Sequence, residues 1–574
     1  MATETEATSA SRPARPALLD RIERLGNRLP DPTTLFVLGA LIVMVVSHLA
    51  VLAEIQVAQT LPTQGEDGEL VWEETGEVFA AESLLSRDGI DWAIRSMVDN
   101  FMAFPPLGVV LVGMLGIGVA ERTGLIAAAL KLFMAGVPNS LLTPAVIFIG
   151  VMSSMTLDAG YVVLPPLAAA LYYAAGRSPL AGIAAVFAGV SAGFNANLFL
   201  TGLDPMLAGY TLTGAIVVDP GYHVNAACNW WFMIASTVLI TLTGWAVTSW
   251  FVERRLAGRP ADEGGPPVGG EAIAADAEGL QPDERRGLKV AGGAFALVMA
   301  LIFAAVLVPG APLYTYQMPD ADDANRTVIA EVYQGDPAEA PPEAQEVNGR
   351  LLVPSERPFA RWVDAIVPLL FVSFIVPAVA FGMVMQKIRR DRDVAKLMME
   401  SMAAMAPIIV LAFVAAQFVA YFSYSGLDRM LATAGGQWLG QAEMGAGLLI
   451  VAFIGLTIVF NLFIGSMSAK YALFAPIFVP MFMMVGISPE LSQAAYRIGD
   501  SVSNIITPLN AYLIIILVYM QRYVPRGGMG TLIATMFPYT LAFTAVWVTM
   551  LLVWMQMGWP LGPDGPLTYD ILAR

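Results

Sequence analysis

The sequence predicts an all-α polytopic membrane protein that is built from two related halves of opposite topology. Of its 574 residues, 57% are hydrophobic and only 14% are charged, and this apolar fraction is higher than soluble globular proteins carry. Residues 159–191 also align without a gap on residues 469–501, with ten identities in 33 positions. An internal repeat with polar interruptions is typical of secondary transporters.

Seven apolar stretches approach the roughly 20 residues that a helix needs to cross a bilayer. They lie at 33–53, 105–120, 230–252, 290–308, 363–385, 403–422 and 532–555. Each half also contains shorter apolar runs that Pro, Gly and Asn interrupt, and these predict a re-entrant hairpin followed by a broken helix. The hairpins are predicted near 141–176 and 448–486, and the broken helices near 179–217 and 489–519.

Lys and Arg in short loops mark the cytoplasmic side of a membrane protein. Basic residues are frequent in the N-terminal tail 1–32 and after the spans that end near 252 and 385. The loops 54–99 and 310–360 carry eleven acidic against two basic residues and nine against three, so both are predicted to be extracytoplasmic. The span 105–120 then runs inward while its counterpart 403–422 runs outward. The predicted repeat is therefore inverted.

This topology divides the chain into four parts. They are a cytoplasmic tail 1–32, a first transmembrane half 33–252, a cytoplasmic linker 253–288 and a second transmembrane half 289–574. The linker is rich in Gly, Ala, Pro and acidic residues without an apolar period, which predicts disorder between residues 258 and 284.

Several functional classes are excluded by composition. A net charge of −16 argues against a nucleic-acid partner, whose phosphates would be repelled. Cys228 is the only cysteine, so a disulfide within the chain and a cysteine-based metal site are ruled out. Two histidines cannot form an HExxH metalloprotease motif, and Asp204 and Asp500 lack the sequence contexts of an aspartyl protease. An enzyme is not expected, which leaves a transporter or an ion channel; the broken helices favour alternating access.

Polar groups inside apolar segments are functional candidates because they are costly in a membrane. In each half they cluster at the hairpin tip and at the helix break, and hydroxyl, amide and backbone oxygens there suit Na⁺. The first predicted cation set is Ser153, Ser154, Asn195 and Asn197; the second is Ser466, Ser468, Asn504 and Thr507.

Charged residues at the same places allow two interpretations. Arg497 and Asp500 are spaced i, i+3, so they either form an ion pair on one helix or contact substrate and ion. Asp204 has no basic neighbour in sequence, which favours a functional role. Lys470 is expected to extend its ammonium group to the membrane interface, and charge-pairing with substrate is the alternative.

Four motifs in these regions resemble the AbgT family of transporters. They are SSMTLDAGYVVLPPLAA, GRSPLAGIAAVFAGVSAGFNANLFLTGLDPMLAG, NLFIGSMSAKYALFAPIFVPMF and QAAYRIGDSVSNIITPLNAY. The resemblance implies a homodimer in the bacterial inner membrane, with about nine spans and two hairpins. It also implies Na⁺- or H⁺-driven transport, either uptake of p-aminobenzoyl-glutamate or export of sulfonamide antimetabolites.

Carried onto this chain, the resemblance implies a set of substrate-binding or coupling residues. They are Asp204, Ser468, Tyr471, Pro489, Arg497, Asp500 and Pro508. Two positions depart from the family pattern: Ser154 stands where Asn is expected, and Tyr471 stands where Trp is typical. The expected function is ion-coupled transport of a small organic anion, with no cofactor besides the coupling ion.

Overall fold

The computed structural model describes residues 31–64, 70–156, 159–267, 280–320, 327–335, 340–442, 444–507, 510 and 512–571. Most of them are helical. The helices are α1 Pro32–Leu52, α2 Arg87–Arg95, α3 Met97–Met102, α4 Pro105–Thr123, α5 Leu125–Ala135, α6 Leu142–Met152, α7 Ala159–Ala174, α8 Pro179–Phe187, α9 Leu203–Val218, α10 Trp230–Val247, α11 Glu253–Ala257, α12 Pro282–Leu307, α13 Arg361–Asp364, α14 Ile366–Val384, α15 Asp391–Ala404, α16 Ala406–Tyr424, α17 Leu427–Gln441, α18 Ala446–Asn461, α19 Met467–Met483, α20 Pro489–Ser503, α21 Tyr512–Gln521 and α22 Met529–Met557.

Seven helical segments in the described part of the chain are long and apolar enough to cross a membrane. They are α1, α4, the continuous segment Trp230–Ala257 formed by α10 and α11, α12, α14, α16 and α22. They occupy the seven stretches predicted from the sequence, with ends that shift by a few residues. The exact number of crossings and the inverted topology stay predictions.

The acidic loops fold into small antiparallel sheets, so the all-α prediction is incomplete outside the helical region. Strands β1 Gln56–Gln64 and β2 Leu70–Ala80 form a hairpin. Strands β3 Tyr316–Pro319, β4 Thr327–Val332, β5 Gln345–Val347 and β6 Arg350–Pro354 form a sheet in the order β3-β4-β6-β5. Met318, Ala330 and Leu352 are the buried centre of the larger sheet. These three apolar side chains lie on strands β3, β4 and β6 and pack together, so this sheet has a small apolar centre of its own.

The linker prediction is wrong at both of its ends. The first end continues the preceding helix through α11, and Gly264 and Gly265 are buried against the rest of the protein. At the other end α12 begins at Pro282, where the Glu284 carboxylate accepts a hydrogen bond from the Gln281 backbone N–H and thereby caps the helix. Residues 268–279 lie outside the described residues.

The repeat recognised in the sequence extends to backbone conformation. Gly176 and Gly486 have φ angles of 68° and 78°, which L-residues with a side chain rarely adopt. Each turn is followed by a Ser-Pro pair that begins a helix, α8 or α20. The hydroxyl oxygen of Ser178 accepts a hydrogen bond from the Ala181 N–H at 3.2 Å, and that of Ser488 accepts one from the Leu491 N–H at 3.0 Å. Both helices therefore start from the same N-cap.

Each of the two capping serines also binds a segment that follows the last long helix of its own half. Ser178 Oγ donates to the Gly264 carbonyl at 2.6 Å, and Ser488 Oγ donates to the Pro566 carbonyl at 2.7 Å. We call residues 259–267 the linker strap and residues 561–571 the C-terminal strap. The C-terminal strap adds a hydrogen bond from the Tyr569 N–H to the Gly486 carbonyl at 2.9 Å.

Glycine allows the first hairpin arm of each half, α6 or α18, to pack directly on the helical segment that follows the hairpin. A Cβ at Gly189 would lie 2.3 Å from the Ile147 carbonyl oxygen of α6. The equivalent atom at Gly499 would lie 2.8 Å from the Ile454 carbonyl oxygen of α18. Both contacts are closer than van der Waals distance, so each interface requires glycine.

We expect Gly189→Ala to destabilise the protein, because its methyl group collides with backbone that cannot move without shifting α6. Overpacking of this kind costs about 1–3 kcal/mol. Thermal unfolding of the purified protein in detergent measures the effect. Gly455→Ala is the matched control, since it lies in α18 with nothing within 4 Å of the added carbon. Equal unfolding temperatures for the two variants would contradict the close-packing interpretation.

Candidate functional site

The candidate site is centred on α20, whose 15 residues are all buried although many of them are polar. Glu490, Gln493, Arg497 and Asp500 follow one another at spacings of three and four residues, so they lie on one face of this helix. The helix is continuous through Ser503, and the break begins at Asn504. Arg497 and Asp500 therefore belong to the helix and not to the break in which they were predicted.

Arg497 forms an ion pair with Asp204, which lies in the first turn of α9 in the other half. The distance between Arg497 Nη2 and Asp204 Oδ1 is 2.7 Å, and both side chains are buried. The second carboxylate oxygen of Asp204 accepts hydrogen bonds from the Thr201 N–H at 2.6 Å and the Thr201 hydroxyl at 3.0 Å. The first helix break thus supplies both the acid and the groups that orient it.

Asp500 forms its ion pair with Lys470, which lies in the first turns of α19. The distance between Lys470 Nζ and Asp500 Oδ1 is 2.8 Å, and neither side chain is accessible to solvent beyond 1%. Asn461 Oδ1 accepts a second hydrogen bond from the Lys470 ammonium, while Asn461 Nδ2 donates to the Asp500 carbonyl at 2.8 Å.

Two interpretations from the sequence are wrong at this point. Lys470 does not extend to the membrane interface, because a buried carboxylate lies within its reach. Arg497 and Asp500 do not pair with each other along α20, because each side chain reaches an opposite charge on a neighbouring element.

Asn195 joins the two ion pairs. Its Nδ2 donates to Asp500 Oδ2 at 3.2 Å, to the Arg497 carbonyl at 3.2 Å and to Ser501 Oγ at 2.8 Å. Within the described residues, Asn195 Oδ1 and Arg497 Nε have no hydrogen-bond partner although both are buried. Such groups are costly in an apolar interior and mark a place where a polar ligand would gain contacts.

The aromatic surface predicted at Tyr471 is packed inside this cluster. The ring of Tyr471 stacks on Tyr496 with centroids 4.2 Å apart, and its hydroxyl lies 2.7 Å from Thr211 Oγ1. Thr211 in turn donates to Gln493 Oε1 at 2.7 Å. The network therefore runs from α19 through α9 to the polar face of α20.

The two proposed cation sets are only partly assembled. Ser154 Oγ lies 2.7 Å from Asn197 Oδ1, which brings one hairpin hydroxyl to the first break. Ser153 donates to the Gly150 carbonyl at 2.7 Å, and Asn195 contacts the second half instead. These four residues do not form one cage in this conformation.

The second set is divided as well. Ser466 and Ser468 lie 3.3 Å from each other, whereas Asn504 Oδ1 accepts from Asn461 Nδ2 at 2.8 Å and Thr507 donates to the Ser503 carbonyl at 2.8 Å. Among the described residues no hydrogen bond joins the serines to Asn504 or Thr507. The described residues contain no cluster of three or more His, Cys, Asp or Glu side chains that could hold a metal ion.

The remaining predicted residues are two prolines. Pro489 is the first residue of α20, where its missing N–H leaves no hydrogen bond unmade. Pro508 lies outside the described residues.

Sequence reasoning missed Glu490 and Gln493, although the repeat contained the signal. The residues 310 positions before Glu490, Gln493, Arg497 and Asp500 are Leu180, Ile183, Phe187 and Val190. A buried apolar stripe in one half is thus a buried polar stripe in the other. Polar residues that replace apolar ones at equivalent buried positions indicate a functional surface.

Comparison with known proteins agrees with a transport site. The model of the AbgT transporter family matches residues 17–323 and 345–569. The p-aminobenzoyl-glutamate transport protein of Escherichia coli K12 is 33% identical over 545 residues, which are 94% of this chain and 95% of that protein. The chain belongs to the AbgT transporter family. It is a multi-pass membrane transporter and not an enzyme.

Two solved AbgT structures are similar over nearly the whole chain. The YdaH transporter of Alcanivorax borkumensis is 38% identical, with a TM-score of 0.77, 93% of this chain covered and 100% of that one. MtrF of Neisseria gonorrhoeae, described as one of a class of antimetabolite efflux pumps, is 35% identical, with a TM-score of 0.79, 96% of this chain covered and 100% of that one. These AbgT proteins therefore share the architecture described above.

We expect Asp500→Asn to lower the unfolding temperature, because it leaves the Lys470 ammonium group buried without a counter-charge, a change that costs about 3–5 kcal/mol. Adding Lys470→Met should recover much of the loss. Adding Arg497→Gln should deepen it, since Asp204 then loses its partner as well. Thermal unfolding of the single variant and the two double variants shows whether Lys470 or Arg497 is the partner of Asp500. Rescue by Arg497→Gln and not by Lys470→Met would contradict the pairing described here.

Proposed function

We propose that this AbgT protein is an ion-coupled secondary transporter of a small organic anion, which works by alternating access. The observation that carries the proposal is the pair of buried ion pairs, Arg497 with Asp204 and Lys470 with Asp500, at the broken helices of a two-half membrane protein. Charges held in an apolar interior are expensive and are retained in transporters where they bind substrate or coupling ion.

Charge balance supplies the coupling. If the carboxylate of a substrate pairs with the Arg497 guanidinium, Asp204 loses its counter-charge in a low-dielectric site. A Na⁺ ion or a proton at Asp204 would restore neutrality, so anion and cation bind together. The oxygens of Ser154 and Asn197, and those of Asn504 and Asn461, are nearby candidates for Na⁺ ligands in another conformation.

The substrate class follows from the relatives and from the aromatic cluster. The Escherichia coli relative is a p-aminobenzoyl-glutamate transport protein, and MtrF is described among antimetabolite efflux pumps. We propose that a benzoyl or sulfonamide ring stacks on the tyrosine pair Tyr471 and Tyr496, near Ser468 and the α20 arginine. Uptake results if the cation moves in the same direction as the substrate, and export results if it moves in the opposite direction. We further propose a homodimer in the bacterial inner membrane.

Reconstitution into liposomes tests the proposal directly. With labelled p-aminobenzoyl-glutamate or a labelled sulfonamide outside, we expect accumulation above equilibrium under an inward Na⁺ or H⁺ gradient and its collapse with an ionophore. Asp204→Asn should reduce driven accumulation at least tenfold, because the variant cannot exchange its counter-charge for a cation. Glu356→Gln, on the exposed outer loop, is the matched control. Ion conductance without accumulation of either substrate would indicate a channel and overturn the proposal.

A further inference from the structure

Glu490 is a buried carboxylate that the proposed transport site does not use. It is 1% exposed in the first turn of α20. Among the described residues no Lys or Arg forms an ion pair with it, in contrast to Asp204 and Asp500. The end of a helix supplies only about half an elementary positive charge. An ionised Glu490 would therefore be poorly compensated, while its protonated form is compatible with the site.

The groups around Glu490 are neutral hydrogen-bonding residues. Tyr222 in the loop between α9 and α10 donates its hydroxyl proton to Glu490 Oε2 at 2.8 Å. From the same loop, Asn229 Nδ2 donates to the Glu490 carbonyl at 2.9 Å, and the buried Cys228 thiol lies nearby. Ser488 flanks the carboxylate on its own helix. Arg497 lies seven residues or roughly 10 Å further along the helix axis, and the Asp219 carboxylate contacts Tyr569, which packs on Tyr222.

Tyr222 connects this carboxylate with the surface. Its ring is half-buried and packs on Tyr569 of the C-terminal strap, whose hydroxyl lies 3.3 Å from Asp219 Oδ2. Burial, and next the Glu490 carboxylate, raise the pKa of the Tyr222 phenol, so Tyr222 keeps its proton and remains the donor. On the predicted topology this loop and the C-terminal strap face the extracytoplasmic side.

Glu490 is also connected with the centre of the site. Gln493 follows it on the same face of α20 and accepts a hydrogen bond from Thr211, which contacts Tyr471. Gln493 Nε2 is buried and has no partner among the described residues. One polar row thus extends from the outer surface through Glu490 and Gln493 to Arg497.

We propose that Glu490 is the binding site of a coupling proton. In the step itself, the Tyr222 O–H bond breaks as its proton passes to Glu490 Oε2, and at the same time the phenol oxygen takes a proton from hydronium on the outer side, which becomes water. Tyr222 therefore never becomes a phenolate, and one proton enters in total. Protonation removes a negative charge that would otherwise compete with Asp204 for Arg497. The proposal rests on the transport function proposed above and adds a coupling proton at Glu490 to the cation proposed at Asp204.

The first test uses proteoliposomes with labelled p-aminobenzoyl-glutamate. Wild type should both exchange internal for external substrate without an ion gradient and accumulate it under an inward H⁺ gradient. Glu490→Gln preserves the shape and the acceptor for Tyr222. It should keep exchange within about twofold, lose H⁺-driven accumulation at least tenfold, and lose the pH dependence of exchange. A merely structural role would lower exchange and accumulation together. Glu356→Gln is the control that should change neither.

The second test does not depend on the substrate. Infrared difference spectra between acidic and alkaline wild-type protein should contain the C=O stretch of a buried carboxylic acid, and Glu490→Gln should lack it. Tyr222→Phe should shift this band by removing the hydrogen bond, and it replaces Glu490→Gln if that variant does not fold. Absence of a band that depends on Glu490 or Tyr222 would overturn the proton site. So would H⁺-driven accumulation by Glu490→Gln at the wild-type rate, or accumulation driven by Na⁺ alone. Failure of wild type to exchange the substrate would instead count against the transport proposal.

Discussion

Buried charge is the constraint on which the arrangement of the two halves depends. Arg497, Asp500, Asp204 and Lys470 are removed from water, and an ion that has lost its partner there is strongly destabilising. Because the Arg497 partner lies on α9 and the Asp500 partner on α19, α20 must enter between them. Asn195 of the first half also donates a hydrogen bond to Asp500. The halves are joined by electrostatics at their centre and by apolar packing around it.

The two halves share backbone features, but the helix after the hairpin has a polar face only in the second half. The glycine turns, Ser-Pro N-caps and glycine contacts occur in both halves. The face of α8 that corresponds to the polar face of α20 consists of Leu, Ile, Phe and Val. The first half contributes its polar groups from the break instead, through Asn195 and Asp204. A symmetric scaffold therefore holds an asymmetric site, which suits a substrate that has no symmetry of its own.

Local rules predicted the seven long apolar helices, because an apolar run is a signal that lies within one stretch of sequence. They could not predict the ion pairs, whose partners are 293 residues apart for Arg497 and Asp204. In the sequence Asp500 is the nearest acidic residue to Arg497, but in the structure Arg497 pairs with Asp204. The small sheets in the acidic loops were not predicted, because charge was used to place these loops and their apolar residues were not examined. The polar face of α20 was visible in the repeat alignment as replaced apolar residues.

The two straps change the boundaries of the duplicated unit. Ser178 and Ser488 each bind a segment that follows the last long helix of its half, so the structural similarity of the halves extends beyond that helix. The first unit therefore extends to about residue 267. The chain between the linker strap and α12 is shorter than the predicted linker 253–288. In mechanical terms, each strap ties the end of the last long helix in its half to the turn between the hairpin and the next helix of the same half.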